Sequence, residues 1–397
     1  MQTYTHYKES GIDWIGQIPE HWECKRLGNW FEERRNKVSD KDFAPLSVTK
    51  NGIVPQLDSA AKSNDGDNRK LVMAGDFVIN SRSDRKGSSG LSYLDGSVSL
   101  INIVMKPRGI YPKFSEFLLK SNGFIEEFYR NGHGIVADLW TTRYDEMKFI
   151  FLAIPPIQEQ EAIANFLDEK TTKIDALVQT KAQQIEKLKE LRQAKIHQAV
   201  TKGLDASAPT KDSGIEWIGE IPAHWEVKRL KHLMRINNGL DYKHVQVDEG
   251  YPVIGSGGQF AYASNYLYDG EVLFLGRKGT IDKPLYFSGK FWTVDTMFYC
   301  VVNNKGITKY LYYFSTTIPF KYYSTATALP SMTQGDLNNH NIPIPPIQEQ
   351  EQIVAYLDEV TGKIDQAIAQ KQEQITKLKA YRQSLINDVV TGKVKVC

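Results

Sequence analysis

Two short segments of the sequence combine basic residues with serine, threonine and glycine, a composition suited to contacts with nucleic acid. They are SRSDRKGSSG at 81–90 and GRKGTIDK at 276–283, and each follows a strand-like run of apolar residues. Arginine and lysine can reach phosphates and guanine, and hydroxyl groups supply neutral hydrogen bonds. The candidate DNA-contacting residues are Arg82, Ser83, Arg85, Lys86, Ser88, Arg277, Lys278, Thr280 and Lys283. Solvated turns have a similar composition, so each segment alone is a weak signal.

The sequence offers no recognisable motif for catalysis, cofactor binding or metal binding. It has no Walker A, G-x-G-x-x-G, H-E-x-x-H, G-x-S-x-G or EF-hand pattern. Glu23-Cys24-Lys25 and Glu226-Val227-Lys228 give the E-x-K half of a nuclease site, but neither has an aspartate at a suitable distance upstream. The three cysteines lie far apart with no C-x-x-C pair, which argues against a zinc site. We expect a non-catalytic chain that binds no metal and no cofactor.

Composition and charge are those of an ordinary globular protein. The 397 residues are 41% hydrophobic and 24% charged. The 49 basic and 47 acidic residues give a net charge of +2, so binding to nucleic acid must come from local clusters of charge. No apolar run approaches the roughly 20 residues of a transmembrane helix, and the first residues lack a signal-peptide pattern. We expect a cytoplasmic protein.

The positions of the two basic segments follow from a tandem duplication. Residues 8–27 recur at 211–230 with 15 of 20 positions identical, and residues 154–193 recur at 344–383 with 24 of 40 identical. The first block contains the pair His21-Trp22, repeated as His224-Trp225, for which we expect a structural role in packing and hydrogen bonding. Between the blocks lie two variable segments that are much less alike.

Each second block begins a long predicted helix that is free of proline and glycine over its first turns and rich in helix-forming residues. Its narrow apolar stripe approximates a heptad seam, interrupted at Lys181 and Gln184 and again at Lys371 and Gln374. The predicted seam residues are Leu167, Ile174, Leu177, Leu188, Leu191, Leu357, Ile364, Leu378 and Leu385. A helix of about 40 residues spans roughly 60 Å, so it requires another long helix, and its repeated twin is the obvious one. The alternative is two unrelated surface helices, each packed on its own domain.

The variable segments 28–153 and 231–343 alternate β-rich runs with glycine-containing turns. Each also contains a predicted helix, at 114–130 and 308–323. We therefore predict the mixed α/β class, with two α/β domains in a pseudo-twofold tandem repeat. The basic segments lie at corresponding strand ends in the two domains, which strengthens the nucleic-acid interpretation, because two like domains can read two half-sites.

The whole arrangement closely resembles the specificity subunit of type I restriction-modification systems. The resemblance rests on SGIDWIGQIPEHWECKRL, a variable domain, IPPIQEQEAIANFLDE with its long helix, and the same unit again. It implies two target recognition domains that read the halves of an asymmetric bipartite DNA site, and an antiparallel coiled coil that sets their spacing. The tail STATALPSMTQGDLNNHNIPIPP also resembles the end of a recognition domain in the family, whereas its counterpart GIVADLWTTRYDEMKFIFLAIPP diverges, so the resemblance assigns no role to Trp140–Arg143.

The resemblance also implies the partners and the domain bounds. The partners are double-stranded DNA, two methyltransferase subunits and ATP-dependent restriction subunits; the methyl donor and ATP are expected on those subunits and not on this chain. The implied domains are target recognition domain 1 at 1–153, long helix 1 at 154–204, target recognition domain 2 at 205–343 and long helix 2 at 344–397.

Two rival classes make different predictions. A DNA adenine methyltransferase should show an Asn/Asp-Pro-Pro-aromatic motif, yet the Pro-Pro pairs here lie in the two IPPI segments. The same lack of motifs speaks against a single-chain endonuclease. A coiled-coil scaffold that binds only proteins is the other alternative. Salt-sensitive DNA binding separates it from a DNA reader, because phosphate contacts release counterions.

Overall fold

The structure, a computed structural model, describes residues 2–58, 66–134, 140–320 and 331–396. Contacts divide the chain into two units. The first comprises Met1–Lys181 and Glu373–Cys397, and the second comprises Ala182–Gln372. Each unit therefore holds one globular domain and a part of each long helix. The domain bounds inferred from the repeat divide the chain differently and remain a prediction.

The first unit is a mixed α/β domain. Its elements in chain order are β1 (Tyr7–Glu9), β2 (Gln17–Pro19), β3 (Glu23–Arg26), β4 (Phe31–Glu33), β5 (Lys37–Val38), β6 (Leu46–Thr49), β7 (Gly52–Pro55), β8 (Arg69–Val72), β9 (Phe77–Asn80), β10 (Ser89–Leu91), β11 (Gly96–Val98), β12 (Asn102–Pro107), α1 (Pro112–Leu119), α2 (Asn122–Arg130), α3 (Tyr144–Met147) and β13 (Phe151–Ile154). The long helix α4 (Ile157–Lys202) follows after Pro155-Pro156.

The second unit repeats this plan. Its elements are β14 (Thr210–Asp212), β15 (Glu220–Pro222), β16 (Glu226–Arg229), β17 (Met234–Asn238), β18 (Gln246–Val247), β19 (Tyr251–Gly255), β20 (Gly258–Ala263), β21 (Tyr268–Gly276), β22 (Leu285–Thr293), β23 (Met297–Val302), α5 (Thr308–Ser315), α6 (Gln334–Asn339) and β24 (Asn341–Ile344). The second long helix is α7 (Ile347–Val390).

Both units are built on the same antiparallel four-stranded core, although their variable sequences differ. The strand order is β4-β12-β9-β10 in the first unit and β17-β23-β21-β22 in the second. In the first unit Met105 pairs with Phe77, and in the second Cys300 pairs with Leu273; all four side chains are buried. The second unit extends its sheet by β19, β20 and β18, whereas the first forms a separate sheet of β11, β8 and β5. The shared four strands therefore need only an apolar buried face, whereas the strands added beyond them differ between the units.

In each unit the repeated framework is attached to the start of the long helix through a half-buried glutamate carboxylate. Glu159 accepts hydrogen bonds from His21 Nε2 at 2.7 Å, from Trp22 Nε1 at 3.1 Å and from the Tyr4 hydroxyl. Glu349 accepts from His224 and Trp225 at 2.7 and 3.0 Å. This explains why the His-Trp pair and the glutamate of IPPIQEQ recur together. We call Glu159 and Glu349 the framework carboxylates.

The glutamine that follows each framework carboxylate ties the helix to the variable segment. Gln160 accepts from the Tyr111 backbone N–H at 2.7 Å, immediately before α1, and its amide donates to the Pro155 carbonyl. Gln350 makes the same pair of bonds in the second unit, accepting from Ile307 just before α5 at 2.9 Å and donating to Pro345. The IPPIQEQ motif therefore connects the start of the long helix to the variable segment by hydrogen bonds.

The end of each long helix packs on the framework of the other repeat. Gly392, after α7, has φ +76°, and a Cβ there would lie 2.3 Å from Cδ of Pro19. Gly203, after α4, has φ +74° and leaves 3.3 Å to the ring of Trp225. Only glycine adopts this left-handed conformation readily while allowing such close approach. Each unit thus combines the start of one long helix with the end of the other.

Within each unit the two helices run antiparallel. In the first unit Arg382 pairs with Asp175 at 3.0 Å, and Lys181 donates to Gln374. In the second unit Arg192 pairs with Asp365 at 3.0 Å, and Lys371 donates to Gln184. The expected helix pair is therefore present, and the polar interruptions of the seam are matched lysine–glutamine hydrogen bonds at 2.7 Å.

Two predicted seam residues are wrong. Leu177 and Leu191 are 51% and 45% exposed. The protected positions on α4 instead follow heptad spacing through Leu167, Thr171, Ile174, Val178, Lys181, Ile185, Leu188 and Arg192. The leucines stand one position before Val178 and Arg192, and one position turns a helical side chain by about 100°, which takes both leucines off the seam. On α7, Leu357, Ile364 and Leu385 are buried and Leu378 is half-buried.

The shorter predicted helices also need correction. The helix expected over 114–130 is divided into α1 and α2, because Ser121 accepts from the Phe124 backbone N–H and starts a new helix. The helix expected over 308–323 ends at Ser315, and residues 321–323 lie outside the described part of the chain. Among the described residues, no helix is long and apolar enough to span a membrane.

Candidate nucleic-acid interface

The first basic segment forms the turn between β9 and β10. Its start is held by the segment before α3: Ser83 N–H donates to the Trp140 carbonyl at 2.9 Å, and Thr142 N–H donates to the Ser81 carbonyl at 3.0 Å. The side chain of Arg82 is exposed. The backbone of this turn is therefore fixed, and the arginine side chain projects from it.

The other members of this segment differ in availability. Lys86 is exposed but pairs with Glu126 at 2.6 Å, and Arg85 lies 3.6 Å from Asp84. Ser83 is half-buried. Ser88 is only 6% exposed, because its carbonyl accepts from Asn80 and draws it onto β9. The expectation that Ser88 contacts DNA is therefore corrected.

The second basic segment follows β21. Arg277 donates from its backbone to the Thr296 carbonyl at 2.8 Å and from its guanidinium to the Asp295 carbonyl at 3.2 Å. Lys278 and Lys283 are exposed, and Thr280 is half-buried. The turn is tight, because a Cβ on Gly276 would lie 2.3 Å from the Thr280 carbonyl oxygen. Of the basic residues, Lys278 and Lys283 have the more accessible side chains.

The two segments occupy the same place in the shared core. Each leaves the strand second from one end of the four-stranded order, β9 or β21. Each then pairs through its backbone with the residues before a short helix. Arg82 forms an isolated β-bridge with Thr141 ahead of α3, and Lys278 forms one with Ser331 ahead of α6. Residues 135–139 and 321–330, which include the STATALP start of the tail and part of its counterpart, lie outside the described part of the chain.

A polar cleft adjoins this place in each unit, and sequence reading missed both. The first has a volume of about 500 Å³ and is lined by residues that include Arg35, Lys37, Lys70, Thr141 and Arg143. The second, about 560 Å³, is lined by residues that include Lys231, Arg235, Asn237, Asn238, Gln334 and Asn338. Guanidinium groups suit guanine and amides suit adenine. Aligning the segments after the first framework block places Arg35 against Asn238, a signal that could have revealed the clefts.

The E-x-K triads and the cysteines lie outside these turns and clefts. In both E-x-K triads the lysine pairs with the glutamate of its own triad at 2.6 Å. Burial raises the pKa of the Cys24 and Cys300 thiols, which disfavours the nucleophilic thiolate. Across the described ranges, no group of His, Cys, Asp and Glu side chains could hold a metal ion.

A buried histidine is expected to make the second unit sensitive to acid. His340, the residue after α6, is 5% exposed and packs on Trp217 and Phe314. Burial lowers its pKa from 6.5 to about 4. The unfolded chain then binds the proton at a higher pH than the folded chain, so the stability is intact above pH 6.5 and falls as the pH drops toward 4. We expect a loss of about 2–3 kcal/mol over this window.

The first repeat supplies a matched variant for this test. Ile150 stands where the second unit has His340, and both carbonyls accept the same framework bond, at 2.7 and 2.9 Å. Hydrogen exchange at pH 7 and pH 4.5 should show that His340→Ile retains the protection of β24 that the wild type loses. Equal losses in both proteins would exclude His340 as the cause.

The fold defines a class of protein: a duplicated α/β protein built on paired antiparallel helices. Residues 222–377 match the family model described as "Type I restriction modification DNA specificity domain". The chain is 24% identical to the MjaVIII specificity subunit of Methanocaldococcus jannaschii, covering 96% of this chain and 94% of that one. It is 22% identical to the EcoDI specificity subunit of Escherichia coli, covering 96% and 90%.

Solved structures share the fold. A chain described under "complex assembly and conformational transition of the type I R-M system" matches with a TM-score of 0.74 and 16% identity, covering 95% of this chain and 99% of that one. The HsdS subunit from Thermoanaerobacter tengcongensis matches with a TM-score of 0.53 and 17% identity, covering 95% and 98%. Over almost its whole length the chain is therefore similar to type I restriction-modification specificity subunits, and residues 222–377 match the family's model.

Proposed function

We propose that this chain is a specificity subunit that reads an asymmetric bipartite DNA site, one half with each unit, and performs no catalysis itself. The methyl donor and ATP are bound by partner subunits, and this chain supplies recognition and assembly. The observation that carries the proposal is the equivalent placement of two different basic turns and clefts on one shared core. Equivalent placement supports a common task, and different side chains support different half-site sequences.

Local charge supports DNA contact despite the net charge of +2. Arg82 in the first unit, and Lys278 and Lys283 in the second, are exposed and have no ion pair with a carboxylate among the described residues. Such cations exchange small counterions for DNA phosphates, which favours binding. Lys86 is a weaker candidate, because DNA must compete with Glu126 for its ammonium group.

The long helices are the proposed docking surface for two methyltransferase subunits. Leu177, Leu191 and Tyr381 are large apolar side chains that are exposed outside the helix seam. They have the same chemistry as residues that proteins bury in interfaces. Their position on framework helices, away from the variable segments, suits partners that are shared by subunits of different DNA specificity.

Two single substitutions test the division of labour. We expect Arg82→Ala to weaken recognition of one half-site and Lys278→Ala to weaken recognition of the other. Loss of a base contact should reduce discrimination by about 1–3 kcal/mol, or about 5- to 150-fold, whereas loss of a phosphate contact should weaken all sequences alike. Binding is measured for the complex with methyltransferase, on duplexes mutated in one half-site at a time.

Matched charge removals control for a general effect. Lys106, near the far end of β12, and Lys305, beyond the far end of β23, are both exposed. Their alanine variants should change neither half-site preference. If Arg82→Ala and Lys278→Ala retain wild-type affinity and methylation pattern, the basic turns are ordinary solvated loops. If binding is also insensitive to salt, the chain is a protein-binding scaffold.

A further inference from the structure

The first unit contains a large polar cleft that the proposed reading of DNA bases does not use. Its volume is about 890 Å³, and it lies among α1, α2, the β6–β7 turn and the two long helices. Four carboxylates line it, together with six cations: Lys50, Lys86, Lys113, Lys120, Lys379 and Arg382. The lining therefore carries two more positive than negative charges.

The four carboxylates are already paired. Glu126 pairs with Lys86 at 2.6 Å, and Asp175 pairs with Arg382 at 3.0 Å. Lys113 forms ion pairs with the other two carboxylates, Glu116 at 3.4 Å and Asp168 at 3.1 Å. Among the described residues this leaves three cations without an acidic partner, namely Lys50, Lys120 and Lys379. These three lysines carry three positive charges, and the paired groups carry one net negative charge because Lys113 is shared by two carboxylates.

Lys120 is the most confined of the three. Its ammonium group donates to the Lys50 carbonyl at 3.3 Å. Burial lowers its pKa, and the nearby charges of Arg382 and Lys113 lower it further, against the opposing effect of Glu116. Lys120 is half-buried, and partial removal of a cation from water without a counterion is unfavourable. An anion in the cleft would relieve this condition.

In the corresponding region of the second unit, the long-helix glutamine has a hydrogen-bond acceptor within the protein. Gln193 donates to the carbonyl of Thr316, the residue after α5, at 2.9 Å. Lys120 is the residue after α1 in the first unit, and the equivalent glutamine, Gln383, has a buried Nε2 with no acceptor. A buried donor without a partner costs about 1–3 kcal/mol.

A second substitution also separates the two units. Tyr313 of α5 donates its hydroxyl to Asp358 at 2.6 Å, whereas Phe117 of α1 has no hydroxyl to offer Asp168. The shared ion pairs remain, since Lys309 pairs with Asp358 as Lys113 pairs with Asp168. At these corresponding positions the first unit therefore leaves the Gln383 amide without an acceptor and Asp168 without a hydroxyl donor from α1, whereas the second unit supplies both bonds.

We propose that this cleft binds a phosphate group, with Lys120, Lys379 and Lys50 supplying the charge. Phosphate oxygens accept several hydrogen bonds from convergent lysines at once. The phosphate comes either from a free anion or from the DNA backbone, and the second source rests on the proposed function. Contact with the backbone would add affinity without sequence preference, because phosphates carry no sequence information.

The test uses the full chain and two variants, Lys120→Gln and Lys379→Gln. Inorganic phosphate and pyrophosphate are titrated by calorimetry at constant ionic strength, with chloride as reference. A non-cognate DNA duplex is titrated separately across a series of salt concentrations. Lys305→Gln is the control, because it removes one exposed charge from the second unit. Lys379 is itself exposed, so its variant keeps the test valid if Lys120→Gln fails to fold.

Each outcome decides the proposal. Binding of free phosphate that falls at least tenfold in both cleft variants, and not in the control, supports a free-anion site. No free-phosphate binding, with a DNA salt slope reduced by about one in each cleft variant, supports a backbone contact. If neither titration separates the cleft variants from the control, the proposal is wrong. The half-site preferences tested by Arg82→Ala and Lys278→Ala do not depend on this result.

Discussion

Replacing Glu159 by alanine is expected to destabilise the first unit by about 2–4 kcal/mol, because the buried Trp22 Nε1 donor and its neighbours lose a charged acceptor. The Glu159 side chain is 11% exposed and accepts from His21, from Trp22 and from a tyrosine hydroxyl. Glu349→Ala should have a smaller effect on the second unit, because Glu349 accepts from two side chains. Glutamine at either position should cost less, since its carbonyl oxygen can still accept.

Hydrogen exchange resolves the effect by unit. Glu159→Ala should reduce protection across β1–β3 and leave β14–β16 unchanged, and Glu349→Ala should do the reverse. Glu161→Ala and Glu351→Ala are controls that remove an exposed carboxylate from the same helical turn and should stay within about 0.5 kcal/mol of the wild type. Equal loss of protection in both units after one substitution would mean that the framework carboxylate does not act within its own unit.

The framework could be predicted because it is repeated in sequence. Identity between the two copies indicated a duplicated domain, and freedom from helix breakers after each Pro-Pro pair indicated the long helices. The role of Glu159 could not be recognised in this way, because its donors lie 137 and 138 residues away in the chain. Repetition showed that the residue was part of the framework, and only the fold showed what it contacts.

The helix seam shows where periodicity fails. Sequence reading preferred the leucines at 177 and 191, whereas the heptad continues through Val178 and Arg192. Arg192 is compatible with the seam because Asp365 lies 3.0 Å away on the other helix, a partner that no local pattern reveals. A charged residue at a seam position looks like an interruption until its partner is known.

The candidate site was partly accessible for a similar reason. Each basic turn is contiguous in sequence, so its composition could be read directly. Each cleft instead gathers residues from distant segments, as Lys70 and Arg143 do in the first unit. The burial of Ser88 depends on pairing between β9 and β10, which composition does not specify.

The helix pair is expected to act as a ruler between the two DNA half-sites. The test adds four residues after Gln179 in α4, just before the polar interruption of the seam at Lys181. It also adds four residues after Ile375 in α7, because the pairs Lys181–Gln374 and Asp175–Arg382 place the two insertion points opposite each other. Four extra residues form a stutter, which coiled coils accommodate by local unwinding. They lengthen each helix by about 6 Å, or about two base pairs of DNA at 3.4 Å each.

Methylome sequencing of cells that carry the lengthened subunit should therefore show unchanged half-site sequences separated by one or two more unspecified base pairs. The insertion in α4 alone should give the same change with lower activity, because four residues then lack partners across the seam. Insertion of two residues in both helices should abolish methylation, since two residues rotate the following side chains by about 200° and expose the apolar face. An active four-residue variant with an unchanged spacer would show that the helices do not set the distance, even if each unit still reads its half-site.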